Sequence, residues 1–248
     1  YSRMKDLGAV FGSVYGWERP GWFAPKDLSL SAADLDTPDV LTNHNHAPAT
    51  DDGRIVEKWT FRRSNYFAHV GNECRNVMDN VALQDMSAFA KMEVSGPGAR
   101  DWLESILANK IPKTRGRIAL CHMLTKNGGV RAEFTVYEHV PGRFYLVSAG
   151  AYERHDHDYL RKLLPDDGSV KLNYLTTQLG VLVLAGPNSR KVLQQLTDTD
   201  LSNAAFPWLT GKSISVGPCS AQALRVNFVG ELGWEFHHPI EQQNALFD

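Results

Sequence analysis

Four acidic positions carry the types and spacing that could do chemistry. Glu133 interrupts an apolar alternation made by Val130, Ala132, Phe134 and Val136. Its carboxylate therefore either faces solvent or lines a concave site in which a charge has a task. Glu231 and Glu235 bracket Leu232-Gly233-Trp234 directly after Gly230, which puts Glu231 at the tip of a turn beside an aromatic. Asp85 precedes Met86-Ser87 ahead of a strand. Any one of these is by default part of a solvated face, and only their combination argues for more. Two histidine pairs, His155-Asp156-His157-Asp158 and His44-Asn45-His46, have metal-ligand residue types. On a helix, positions i and i+2 diverge, and His44 and His46 lack a third ligand nearby, so no metal site is expected. The sequence contains no GxGxxG, GxxxxGK[ST] or GxSxG, which excludes a dinucleotide turn, a P-loop and a nucleophile elbow from this chain.

The bulk properties narrow the partners. The 248 residues carry 26 Lys plus Arg against 28 Asp plus Glu, a formal charge of −2, which argues against nucleic acid as the main partner and against an electrostatic tether to a membrane. The longest apolar run, Leu179 to Ala185, is far below the roughly 20 residues needed to span a bilayer and reads as a buried strand. Three widely spaced cysteines form neither a disulfide framework nor a CxxC knuckle, so a reducing compartment is expected, bacterial cytoplasm or mitochondrial matrix. The chain opens at Tyr1 without a basic-then-apolar leader and closes in a helix that has only begun. It is expected to be an excised piece of something longer.

The elements that must position these residues can be read from periodicity. Residues 1–58 are an aromatic lead-in, with Trp17, Trp22, Phe11 and Phe23 among prolines and glycines and little sign of a long helix or strand. This segment is expected to be a coil packed on its own domain. Residues 65–80 suit a helix, and Phe89 to Val94 alternates as a strand does. The strand hands over to a helix at Gly96-Pro97, with Pro97 as the first helical residue and Trp102, Leu103, Ile106 and Leu107 as the apolar stripe. The same handover recurs at Gly186-Pro187, 90 residues later, which suggests an internal duplication. Arg117–Thr125 and Gly129–Tyr137 form a hairpin about Asn127-Gly128, Phe144–Ser148 is a further strand, and a helix follows from Tyr152 to Leu164. Ser213–Val216, Ala221–Val229 and Trp234–His238 are the matching strands of the second copy. The fold class expected is α+β, with duplicated ferredoxin-like units whose antiparallel sheets are covered on one face by helices.

Four separated segments, Gln84–Lys91, Val94–Pro97, Gly128–Val136 and Gly230–Glu235, resemble the aminomethyltransferase (glycine-cleavage T-protein) family in order and spacing. The lead-in Gly16-Trp17-Glu18-Arg19-Pro20-Gly21-Trp22-Phe23 is similar to the stretch ahead of the folate domain in dimethylglycine and sarcosine dehydrogenases. The resemblance covers nearly the whole chain. It implies the T-protein folate-binding fold, truncated at its C-terminus, with residues 1–58 joining an upstream FAD oxidoreductase module and 59–248 forming an incomplete folate domain. It implies tetrahydrofolate as cofactor, FAD on a module outside this chain, and capture of a one-carbon unit from an oxidised N-methyl amine as 5,10-methylenetetrahydrofolate.

Residue by residue, the resemblance implies that Glu133 stands where relatives carry the aspartate that assists transfer near folate N10. It implies that Glu231 accepts the pterin N–H groups, a bidentate fit. Tyr145 matches an aromatic near the ligand, and Ser148 replaces an asparagine common in the T-protein. Arg225 is a basic neighbour expected to orient Glu231 or meet the ligand's charge. Two other readings stay open: a flavin-independent folate-dependent demethylase or methyltransferase, and a scaffold or regulatory copy of the fold.

Overall fold

In the computed structural model, which describes residues 1–36, 54 and 56–248, the chain divides into two units, Tyr1–Met78 and Asp79–Asp248. The expected boundary at 58/59 lies inside the first unit. His44 and His46 lie outside the described residues.

The first unit begins with α1 (Ser2–Asp6), followed by β1 (Ala9–Val14) and β2 (Trp17–Phe23), then α2 (Ala32–Leu35), and leads out through α3 (Phe67–Asp79). The lead-in expected as coil is therefore an antiparallel hairpin. Its two-residue loop, Tyr15 at φ 53° and Gly16 at φ 84°, has the double left-handed backbone that a type I′ turn demands, without the Asn-Gly pair that usually signals it. Pro20 pairs with Phe11 beside a register shift, a place where a missing N–H is tolerated. Trp22 is buried with Val10, Ala24 and Val56, and its indole N–H donates to Glu57 at 3.1 Å. The aromatic segment thus packs within its own unit.

The second unit runs β3 (Ala82–Asp85), β4 (Ala90–Ser95), α4 (Ala99–Ile106), β5 (Ile118–Leu124), β6 (Val130–Val140), β7 (Arg143–Ser148), α5 (Glu153–Lys162), β8 (Lys171–Tyr174), β9 (Leu179–Ala185), α6 (Ser189–Leu193), β10 (Gly211–Val216), β11 (Cys219–Leu224), β12 (Gly233–Pro239) and α7 (Gln243–Phe247). Its strands form two five-stranded sheets, β5-β6-β7-β4-β8 and β10-β11-β12-β9-β3, antiparallel at every pairing. The duplication is visible in the backbone itself. Gly96 and Gly186 take φ 122° and 123°, and the helices that follow are capped by Gly98 and Asn188 in nearly identical conformations. The helices start at Ala99 and Ser189, so Pro97 is not the first helical residue as expected; it occupies a turn closed by the Ala99 N–H on the Gly96 carbonyl at 3.2 Å.

Two strands escaped the pattern. The short edge strands β3 and β8 are mostly exposed and lack a clear alternation. They obey the repeat but change sheets: β3 stands just ahead of β4 and β8 just ahead of β9, yet β3 edges the second sheet beside β9 and β8 edges the first beside β4. Strand β11 ends at Leu224 rather than continuing to Val229, because Arg225 turns aside to pair its backbone with Thr210 and Leu209.

Helices α4 and α5 cover one face of the first sheet, with Leu103, Phe134, Phe144, Leu146 and Leu160 fully buried. In the second sheet Leu182, Leu193, Phe206 and Trp234 play the same part. The remaining faces meet through Ile118, Tyr137, Tyr145, Val147 and Leu224. A Cβ on Gly96 would lie 2.3 Å from the Ser169 carbonyl oxygen at a left-handed φ, while one on Gly128 (φ 81°) would meet nothing within 4 Å. Gly96→Ala is expected to cost about 2–4 kcal/mol in urea denaturation and Gly128→Ala only about 1 kcal/mol, which separates packing from backbone preference.

Candidate functional site

Strand β6 sorts its side chains by period two. Ala132, Phe134 and Val136 enter the core under the helices, and Glu133, Thr135, Tyr137 and His139 line the opposite face. The register extends that face across the sheet, because directly paired residues point the same way. His122 pairs with Glu133, Tyr145 with both Tyr137 and Glu93, and Val147 with both Thr135 and Lys91. The second sheet covers the half of this face that holds Tyr137, Tyr145 and Val147. The half that holds Glu133 is open: its side chain is 61% exposed, with Oε2 2.8 Å from His122 Nε2.

On the covered half the two sheets enclose a cavity of about 290 Å³, lined among others by Glu93, Tyr137, His139, Tyr145, Gln222 and His237. A polar chain crosses its wall. Tyr145 Oη lies 2.9 Å from His237 Nδ1, and His237 Nε2 lies 3.1 Å from Glu235. With the phenol donating to Nδ1, the Nε2–H donates to the carboxylate, so a neutral imidazole satisfies every group. Burial lowers the His237 pKa against the pull of Glu235, and burial, reinforced by the Glu235 charge, raises that of the Tyr145 phenol well above its ordinary value. On the other side, Glu93 accepts from Arg143 Nη2 at 2.8 Å, Arg143 Nε at 3.0 Å and His139 at 3.1 Å. Burial alone would raise its carboxyl, but these donors hold it below the ordinary value.

Lys91, on the same sheet face, is wholly buried and donates to the carbonyls of Ser87 at 2.6 Å and Phe89 at 2.9 Å. Burial pulls its pKa down to about 8, with Glu153 and Asp85 opposing from a distance.

The five residues singled out from the sequence do not converge. Tyr145 lines the cavity. Glu133 stands on the open half of the same face. Ser148 faces away from it, its hydroxyl donating to Asp156 of α5 at 3.0 Å. Arg225 is buried, its terminal nitrogens spent on the Phe206 carbonyl at 2.5 Å and Asn203 at 2.8 Å and its guanidinium 5.7 Å from the Trp234 ring centre. No hydrogen bond joins it to Glu231, which sits half-buried in the bend after Gly230 (φ 86°) with no hydrogen bond or ion pair among the described residues. His139, His237, Glu93 and Lys91 were missed. The signal for two of them was present: His139 continues the Glu133 row at the strand period, and Glu235 and His237 share a face two residues apart. Among the described residues no group of three or more His, Cys, Asp or Glu is placed to hold a metal ion, and no helix is long and apolar enough to cross a membrane.

Two helix-covered antiparallel sheets, one carrying Glu133 on its open face, define an α+β domain with a candidate binding face between and beside the sheets. The chain belongs to the GCVT N-terminal domain family, which matches residues 1–248. It is 37% identical over 249 residues to the mitochondrial dimethylglycine dehydrogenase of Homo sapiens, covering 100% of this chain and 26% of that protein. It is 33% identical over 256 residues to the mitochondrial sarcosine dehydrogenase of Mus musculus, covering 96% of this chain and 27% of that protein. The chain thus spans about a quarter of the length of these relatives. The fold matches glycine cleavage system aminomethyltransferase T from Bartonella henselae with a TM-score of 0.70 at 20% identity, over 100% of this chain and 54% of that one.

The depressed Lys91 ammonium has a definite consequence for stability. A lysine whose folded pKa lies below its unfolded value of 10.5 contributes stability that is full above pH 10.5 and lost as pH falls through about 8. Chemical denaturation is expected to show stability rising by about 3 kcal/mol between pH 7 and 10.5 relative to Lys91→Met, whose profile lacks that rise.

Proposed function

We propose that this chain is the tetrahydrofolate-binding part of a demethylating flavoprotein, one that transfers the one-carbon unit of an oxidised N-methyl amine to tetrahydrofolate as 5,10-methylenetetrahydrofolate. FAD belongs to a module outside these residues, and the setting is the mitochondrial matrix or a bacterial cytoplasm. The whole-length family match and the named relatives support the class of reaction. The observation that carries the assignment to this sheet face is the open carboxylate of Glu133, in one row with the aromatic wall of Tyr137, beside His122 and paired with no lysine or arginine among the described residues.

In this reading Glu231, half-buried and unengaged, accepts paired N–H donors of the pterin, which an ionised carboxylate does in bidentate fashion. Glu133 stabilises the cationic methylene carbon and moves the proton from the folate amine to the departing amino nitrogen. His122, 2.8 Å from Glu133, orients that carboxylate. Tyr145 shapes the aromatic wall. Ser148 and Arg225 act at one remove, by fixing α5 and the loop around Trp234.

The test is calorimetric titration of the full-length protein with 5-formyltetrahydrofolate, beside a methylene-transfer assay. Micromolar binding, about −8 kcal/mol, is expected in the wild type and none in Glu231→Ala. Glu133→Gln is expected to keep binding within about twofold while transfer falls about a hundredfold. Unimpaired transfer by Glu133→Gln removes its role, and a full-length protein that binds no reduced folate overturns the reading.

A further inference from the structure

Beside the inter-sheet cavity a second, larger groove of about 640 Å³ opens between the loop of residues 114–117 and the start of β10. The two share a wall, since Tyr137, His139 and Ser213 line both. Its lining carries Arg115, Arg117 and Lys212 and no acidic residue. We propose that this groove binds a di- or polycarboxylate anion, held by Arg115 and Arg117 in the field of Lys212.

The walls are built before any ligand arrives. Residues 117 and 210 form a bridge, the Gly211 N–H donates to the Gly116 carbonyl at 2.7 Å, and the Ile118 N–H donates to the Leu209 carbonyl at 2.9 Å. The ring of Tyr137 is pressed against Gly211, where a Cβ would lie 2.8 Å from it, and its hydroxyl donates to Gln222 at 3.3 Å. The cations, by contrast, are not spent on carboxylates. Arg115 and Arg117 are exposed and make no ion pair or side-chain hydrogen bond among the described residues. The Lys212 ammonium donates one of its three N–H groups to the Ala205 carbonyl and adds its charge to the groove. Asp200, which feels the Lys212 charge, lies outside the lining, and its carboxylate accepts from the Ser202 N–H at 2.8 Å. Glu138, behind the loop, is held by Arg100 at 2.5 Å.

The class of anion follows from which donors remain. A phosphate nest needs converging backbone N–H groups. Here the N–H of Gly116 goes to the Glu138 carbonyl at 3.3 Å, that of Arg117 to Thr114 at 3.2 Å and that of Gly211 to Gly116. What is left is planar guanidinium forks, which bind carboxylate or phosphate two donors at a time, so it is the spent backbone N–H groups that favour a carboxylate. Three cations on one groove also neutralise too little to hold a nucleic acid on a chain of net charge −2. The carboxylates have two sources: a free small acid, or the acidic end of the molecule whose aromatic part enters the neighbouring cavity. The inference goes beyond the proposed function and depends on it only for the second source.

The test uses the full-length protein, titrated with tricarballylate and, separately, with 5-formyltetrahydrofolate and its analogue lacking the glutamyl group. The variants are Arg115→Ala, Arg117→Ala and the pair together, with unchanged thermal midpoints as the control for folding. The pair is expected to weaken binding of a carboxylate ligand about tenfold, and each single variant about threefold. If the loss appears with tricarballylate alone, the groove serves a free acid. If it appears with 5-formyltetrahydrofolate and vanishes for the analogue, the groove holds that ligand's acidic end. A protein that binds no folate but binds tricarballylate through these arginines sinks the folate reading and keeps the groove. Tricarballylate and 5-formyltetrahydrofolate binding that is the same in the wild type and the double variant overturns the proposal, as does inorganic phosphate binding tighter than tricarballylate.

Discussion

Two sheets can share a face only if every polar group caught between them finds a partner, and in this domain, among the described residues, two side-chain hydrogen bonds cross the seam: Tyr137 donates to Gln222 at 3.3 Å, and a longer chain starts from Tyr145. Tyr145 reaches across from the first sheet to His237 of the second, 2.9 Å away, and His237 is held in turn by Glu235 at 3.1 Å. The phenol and imidazole rings meet edge to face, 5.2 Å apart. A lone buried histidine would cost the domain a desolvated nitrogen, whereas this arrangement satisfies both nitrogens in the neutral form. The apolar contacts around it are Ile118, Val147 and Leu224, with Phe89, Leu175, Leu179, Leu209 and Val226 only partly buried at the margin. The inter-sheet seam therefore depends on register as much as on burial, and the cavity beside it exists because aromatic and polar side chains fill the seam incompletely.

The connectivity reinforces the same seam. Each copy opens with a short strand that it lends to the other copy's sheet: β3, ahead of β4, edges β9, and β8, ahead of β9, edges β4. The chain thus crosses between sheets at residues 86–89 and again at 175–178, and these crossings are themselves tied: the Met86 N–H donates to the Val181 carbonyl at 2.9 Å and the Leu175 N–H to the Lys91 carbonyl at 2.9 Å. Lys91 closes the first crossing by donating to two of its carbonyls. An ammonium is a costly way to satisfy carbonyls in a buried place, and its lowered pKa is the measure of that cost. The two halves cannot separate without breaking these contacts, so the duplicated units behave as one body around their shared face.

Much of this was legible in the residues. The Gly-Pro handovers, the hairpin about Asn127-Gly128 and the run Leu179–Ala185 are strong local signals: a left-handed glycine, a tight turn closed by the Gly128 N–H on the Thr125 carbonyl and a fully apolar strand are imposed by backbone sterics and burial with little help from the rest of the chain. The repeat and the antiparallel α+β class follow from them, and so does Glu133 as an acid out of place on an apolar strand. The hairpin of β1 and β2 was not legible, because Tyr15-Gly16 is a weak turn signal and Pro20 reads as a breaker until its bulge is seen. Nor were β3 and β8, whose stability comes from the partner strands they edge and not from their own alternation.

Where the side chains meet was a different matter. Local periodicity states which face a residue takes but not what covers that face, and only the packing of the second sheet onto half of the first divides it into a cavity around Tyr145 and an open surface around Glu133. Ser148 and Tyr145 are three residues apart on one strand and so lie on opposite sides of the sheet, one bound to Asp156 under a helix, the other to His237 across the seam. Arg225 and Glu231 are close in sequence, yet the turn of the chain at Leu224 sends the guanidinium to Asn203 and Trp234. The sequence by itself determined the elements, their duplication and the chemistry available on each strand, because those follow from sterics and burial within a few residues. The tertiary structure alone decided which of those groups face one another, because contacts such as Tyr145 to His237, 92 positions apart, are set by how sheets stack and not by anything local.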